Sequence, residues 1–259
     1  MPAELKSTTQ GRTMVLAISN PENRNALDPA MYAAGVEALN VAESNPEIRS
    51  VVITGEGAMF CAGGHLQRLQ ANRQHPPDVQ AKSIDGLHSW IDSIRTFPKP
   101  VIAAVEGPAA GAGFSICLAC DFIVAAQDAV FVMAYSNVAL SPDGGATWHL
   151  SRMLPRQTAS ELLMGGERIG AARLHELGVV NRVTAPGSAL AEALELAERM
   201  NCRAPNALAS IKELINDAQE TSLSRQLAAE RDHFVRNLHH PNAGIGIEAF
   251  LAKKPPRYE

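Results

Sequence analysis

Apolar residues are distributed along this chain with two different periodicities. In the first two thirds they form short, nearly unbroken runs at 13–19 (TMVLAIS), 50–54 (SVVIT), 100–105 (PVIAAV) and 121–126 (DFIVAA). A strand wetted on one face alternates apolar and polar residues. Runs without that alternation predict strands covered on both faces, as in a parallel sheet flanked by helices. Helical patterns fall between them. Asp28 followed by Pro29 pairs an N-cap residue with a proline at the first helical position, where its missing N–H costs nothing. A second helix is predicted around 79–95, after a polar, mobile-looking segment that carries Pro76 and Pro77. Residues 107–120 read as a small-residue turn that runs into a short apolar helix. Toward the C-terminus the period becomes helical throughout. Leu190, Ala193, Leu194, Ala197 and Met200 share one face of a helix opened by Ser188, and Leu223, Leu227, Phe234 and Leu238 mark another. The pattern predicts an α/β fold with a helical C-terminal part.

Composition narrows the picture. With 259 residues, 46% of them hydrophobic and 19% charged, the chain can bury a large core. Lys+Arg 23 against Asp+Glu 27 leaves a formal net charge of -4, which argues against a nucleic-acid binder. The longest uncharged stretches, 107–120 and 129–142, are fourteen residues each, short of the ~20 that cross a bilayer. The N-terminus shows no secretory pattern and four cysteines make no disulfide framework, so the expectation is a cytoplasmic protein with no membrane partner.

Much familiar chemistry is missing. Cys117-x-x-Cys120 has redox spacing but lies in an apolar run with no basic neighbour, which reads as core. The eight histidines are scattered, so no metal site is expected. There is no P-loop, no dinucleotide fingerprint and no nucleophile elbow. Two turns remain: 60–66 (FCAGGHL), just after the second apolar run, and 107–113 (GPAAGAG), between a buried strand and a helix. Small residues let a ligand approach the backbone, and two main-chain N–H groups converging on one carbonyl would form an oxyanion hole; packing turns are the plainer reading of each. The third element is Ser141-Pro142-Asp143-Gly144-Gly145. Asp143 reads either as the cap of a helix beginning at Gly144 or as a carboxylate that moves protons beside a polarised carbonyl.

At these residues the chain resembles the crotonase (enoyl-CoA hydratase/isomerase) superfamily over nearly its whole length. The matching stretches are 20–27 (NPENRNAL), 60–66, 99–121 (KPVIAAVEGPAAGAGFSICLACD), 140–150 (LSPDGGATWHL) and 248–255 (EAFLAKKP). The resemblance implies a spiral of ββα turns over 1–200 and a helical trimerisation region over 201–259. It implies an acyl-CoA thioester as substrate, no separate cofactor, and assembly as a homotrimer or a dimer of trimers. Carried over by position, the oxyanion donors are the N–H groups of Gly64 and Ala112, the second being commonly glycine in the family. Arg24, Ala26, Ala62 and Leu66 fall at positions that line the CoA pocket, and Phe250 and Lys253 at a C-terminal pair that reaches the CoA nucleotide.

Two positions depart from the hydratase pattern, in which a pair of glutamates serves water addition. Here they hold Ser115 and Tyr135. An acid stands instead at Asp143, where isomerases of the family keep one proton-shuttling carboxylate and a dehalogenase branch keeps its nucleophile. The expectation is therefore migration of a double bond from 3-enoyl to 2-enoyl-CoA. The alternatives are hydration of a 2-enoyl-CoA or hydrolytic ring-opening of a cyclic CoA thioester in aromatic-acid degradation, as in members similar to 142–148 (PDGGATW). More remote is an RNA-binding or non-catalytic member, which the -4 charge opposes. The acyl pocket is expected to form from the segment 67–83 together with Trp90, Met133 and Tyr135.

Overall fold

The computed structural model describes residues 3–258. Its strands and helices, in chain order, begin with β1 (Glu4–Gln10), β2 (Thr13–Ser19), α1 (Pro29–Ser44), β3 (Ser50–Gly55), α2 (Leu66–Asn72), α3 (Pro77–Thr96) and β4 (Val101–Val105). They continue through β5 (Pro108–Ala110), α4 (Ala112–Ala119), β6 (Phe122–Ala126), β7 (Val130–Val132), α5 (Ala146–Met153), α6 (Arg156–Gly165), β8 (Arg168–Gly170), α7 (Ala171–Glu176) and β9 (Arg182–Thr184). The chain closes with α8 (Ala189–Asn201), α9 (Pro205–Ala218), α10 (Leu223–Leu238) and α11 (Pro241–Leu251).

The main sheet has the order β1-β2-β3-β4-β6-β9, parallel throughout except for the antiparallel pair β1–β2. A smaller sheet, β5-β7-β8, stands apart from it. The four apolar runs are β2, β3, β4 and β6, and their lack of alternation has the expected cause. Leu16, Ile18, Val51, Ile53, Val101 and Ala103 face one core with α1, α3 and α4. Their strand neighbours Val15, Val52, Ile102, Ala104 and Val124 face a second core under α8, where Ala193, Leu196 and Ala197 cover them. Both faces are dry, so both need apolar side chains.

Several local readings hold in detail. The Asp28 side chain accepts the Ala30 N–H at 3.0 Å and starts α1 with Pro29 in its first turn. The helices expected around 79–95 and after Ser188 are α3 and α8. A contact the sequence did not announce is that of Asp121, which accepts the Val101 N–H and pairs with Lys212, both at 2.8 Å, tying α9 to the edge of β4. Other readings are corrected. The polar segment before α3 contains a helix, α2, and residues 4–10 form a strand that their polar sequence concealed. The helix marked by Leu223, Leu227, Phe234 and Leu238 is present as α10, with all four side chains exposed. Among the described residues no helix is long and apolar enough to cross a membrane.

Candidate functional site

In open parallel sheets the strand ends nearest their C-termini leave loops free to converge, and ligands bind there. Here the loop after β3 and the loop after β4 do converge. The Cys61 N–H donates to Pro108 O at 3.1 Å and the Ala110 N–H to Cys61 O at 2.8 Å, so the two turns run side by side as a minimal parallel ladder. Glycine makes this approach possible. A Cβ on Gly63, whose φ is +83°, would stand 2.6 Å from Ala110 O and 3.2 Å from Ala112 N. One on Gly113 would stand 2.7 Å from both Cβ and O of Cys61. Neither position has room for a side chain.

Their juxtaposition presents two main-chain donors. Ala112 is the first residue of α4, so its N–H has no partner within the helix. Among the described residues nothing accepts the N–H of Gly64 or of Ala112. Both residues line one cavity of about 560 Å³. Buried N–H groups are nearly always paired, so two lining a single cavity mark a place built for an acceptor from outside the chain.

Asp143 reaches the same cavity from the segment between β7 and α5. It is not a helix cap. Gly144 and Gly145 both take positive φ, α5 starts at Ala146, and no side chain caps it. The carboxylate instead accepts the phenol O–H of Tyr135, Oη to Oδ1 at 2.6 Å, and among the described residues no donor is bonded to Oδ2. Two further contacts fix the Asp143 backbone. Ser115 Oγ donates to its carbonyl at 3.1 Å, and the neighbouring Gly144 N–H donates to His88 Nε2 at 3.4 Å. Ser115 and Tyr135, the two positions that depart from a glutamate pair, thus both bond to Asp143. Burial and the adjacent Asp143 charge hold the Tyr135 phenol far above its ordinary pKa, so it stays a proton donor to the carboxylate.

The remaining expected residues divide. Ala62, Leu66 and Tyr135 line the cavity with Gly64, Ala112 and Asp143. Arg24 and Ala26 lie in the adjoining loop, where the Arg24 carbonyl accepts the Ala62 N–H at 3.1 Å. Phe250 and Lys253 lie outside the lining, at the end of α11. Phe250 is 83% exposed, so it does not anchor that helix within the subunit. Trp90 and Met133 are core residues and do not border the cavity. Gln80 and Ser83 do, as the segment 67–83 suggested.

Arg68 and Leu69 of α2 belong to that segment too, and residues the pattern did not reveal complete the wall: Tyr32 from α1, and Ile84, Leu87 and His88 from α3. Each is one position on a helix face, with no local motif to mark it. Leu87 packing at i, i+3 and i+4 spacing with Trp90 and Ile91 is the single available signal. Cys117 and Cys120 are free thiols bonded to the carbonyls one turn back, and burial pushes both pKa values up, as inert core cysteines require. Among the described residues no three His, Cys, Asp or Glu side chains gather as a metal centre would need.

Comparison with known proteins places the chain in a family. The sequence model of the enoyl-CoA hydratase/isomerase family matches residues 8–259. The chain is 34% identical to 1,2-epoxyphenylacetyl-CoA isomerase of Escherichia coli (strain K12), over 95% of this chain and 94% of that one. It is 33% identical to 2,3-dehydroadipyl-CoA hydratase of the same organism, over 99% of each. A crystal structure described as an enoyl-CoA hydratase from Polaromonas sp. JS666 superposes with a TM-score of 0.98 at 71% identity, covering 99% of this chain and all of that one. With a crotonase fold and two paired turns at its centre, the chain belongs to the enoyl-CoA hydratase/isomerase family.

Proposed function

We propose that this enzyme moves a double bond in an acyl-CoA thioester, from the 3-enoyl to the conjugated 2-enoyl form. The observation that carries the reading is the meeting of one carboxylate, Asp143, and two unpaired main-chain donors, Gly64 and Ala112, on a single cavity.

The thioester oxygen sits between the two N–H groups, which strengthen their hold as negative charge gathers on it. The Asp143 carboxylate takes the proton from C2. The electron pair passes into a dienolate spread over the thioester oxygen, C2 and C4. Asp143, now protonated, returns a proton to C4, and the remaining double bond lies between C2 and C3. Atoms and charge balance with one base and no water. Tyr135 orients the carboxylate through its hydrogen bond.

Water addition is the second reading, favoured by the hydratase names of the 33% and 71% identical relatives. It requires Asp143 to position a water without the help of a second carboxylate, since Ser115 and Tyr135 occupy the expected places. A paired assay separates the two. Conjugation of a 3-enoyl-CoA that disappears in Asp143→Asn supports isomerisation. Hydration of a 2-enoyl-CoA that persists in the same variant would sink the assignment of Asp143 as base.

The same reading has the subunits assemble through α9–α11. These helices expose Ile211, Ile215, Leu227, Phe234 and Ile247, apolar side chains that assembly would cover. Light scattering should give three times the chain mass, or six. A monomeric mass at micromolar concentration would refute it.

A further inference from the structure

Helix α2 carries a cation to the cavity wall. The Arg68 side chain is only 21% exposed. Its Nε and Nη1 are sealed from solvent, and neither makes a hydrogen bond. Its ion-pair partner among the described residues is Asp28, but Oδ2 of that half-exposed carboxylate stands 3.7 Å from Nη1, beyond hydrogen-bonding range. The other oxygen of Asp28 is already committed to the Ala30 N–H. The cavity that Arg68 borders is lined also by Tyr32, Leu69, Gln80 and Ser83.

Tyr32 lines the same cavity as Arg68 and Asp143. Burial raises this phenol's pKa, a hydrogen bond to Arg68 and then the Arg68 charge oppose the rise, and the Asp143 charge adds to it. The double-bond shift makes no use of Arg68. A buried guanidinium with unpaired donors is unfavourable and calls for an acceptor, best an anion because the nearby Asp28 compensates its charge only at a distance.

Resting on the acyl-CoA reading above, we propose that Arg68 determines specificity by pairing with a carboxylate at the far end of the acyl chain, so that the substrates are CoA monothioesters of dicarboxylic acids. The phosphates of coenzyme A offer a second anionic partner, and the test separates the two sources.

Calorimetric titration of the purified full chain would use saturated thioesters, which cannot isomerise, in length-matched pairs: butanoyl and butanedioyl, hexanoyl and hexanedioyl, octanoyl and octanedioyl, with free CoA alongside. In at least one pair the dicarboxylic thioester is expected to bind about tenfold more tightly. Arg68→Gln and Arg68→Met should each erase that preference and leave binding of the monocarboxylic partner within about twofold. Equal affinity within every pair in the unaltered protein would overturn the proposal. So would a parallel weakening of both members and of free CoA in the variants, which would place Arg68 against the CoA phosphates. If free CoA binds while no pair shows a preference, the Arg68 proposal alone has failed. If neither CoA nor any thioester binds, the acyl-CoA reading has failed and takes this proposal with it.

Discussion

Replacing Ala112 with proline would remove one main-chain donor and very little else. Ala112 is the first residue of α4, the helical position at which proline's fixed φ is already suitable. Its N–H donates to nothing among the described residues, so the folded protein loses no internal hydrogen bond. The residue before it, Gly111, sits at φ 50°, ψ -122°, outside the α region that a following proline disfavours. The cost should therefore fall on the transition state alone. Removing one oxyanion donor costs about 2.7–4 kcal/mol, or roughly a 10²–10³-fold loss of kcat. The measurement is steady-state conversion of a 3-enoyl-CoA, followed by the absorbance of the conjugated product. Thermal unfolding serves as control. A stability change under about 1 kcal/mol would move the midpoint by only about 2–4 °C in a chain of this size. Ala112→Gly keeps the N–H and should retain most of the activity. Turnover of Ala112→Pro within about threefold of the parent, with the fold intact, would refute the donor role.

Tyr135→Phe deletes the O–H that bonds to Asp143 and should lower kcat by about 10–100-fold with little change in KM, because a hydrogen bond to a charged group contributes about 1.5–3 kcal/mol; an unchanged kcat would mean that the phenol does not orient the base. His149 makes the stability of the fold pH-dependent. Burial, and then the Arg95 and Arg152 charges, depress its pKa from 6.5 to about 4. A group whose folded pKa is depressed takes up its proton in the unfolded chain first. The neutral imidazole's contribution is thus complete above pH 6.5 and is lost as the pH falls toward 4, by roughly 3 kcal/mol in all. Urea titrations of the parent and of His149→Gln at stepped pH should show a slope across this window in the parent that is flattened in the variant; identical slopes would refute the assignment.

What could be read in advance and what could not differ in physical kind. The parallel strands were legible because a strand dry on both faces must be apolar at every position, and 50–54 and 100–105 satisfy that locally. The turns around Gly63 and Gly113 were legible because backbones in contact exclude side chains, which leaves glycine and alanine in sequence. β1 was hidden because it pairs at the sheet edge through main-chain bonds, and ELKSTTQ needs no apolar residue to do so. Asp143 was recognised, but its partner was not. Tyr135 lies eight residues away across an irregular segment, and only the folded path brings its phenol to the carboxylate. The cavity wall was the least legible part. The segment 67–83 was expected there, but Tyr32 of α1 and Ile84, Leu87 and His88 of α3 were not, and their meeting is a property of helix packing rather than of any local pattern. The exposed stripe of α10 shows the converse. Its period announced a helix correctly, yet periodicity does not state what covers the apolar face.

The two donors at the centre of the site belong to the peptide backbone, and this has a genetic consequence. Exchanging the side chain at position 64 or 112 leaves the donor in place unless the new residue is proline. An alanine codon becomes a proline codon by a single base change, whereas a glycine codon needs two. If the two donors hold the thioester oxygen as proposed, that function is shielded from nearly all point mutations, while Ser115, Tyr135 and Asp143 beside it are freely exchangeable letters. A lineage built on such a scaffold can lose one reaction and acquire another by rewriting those side chains, with the carbonyl-gripping apparatus inherited intact.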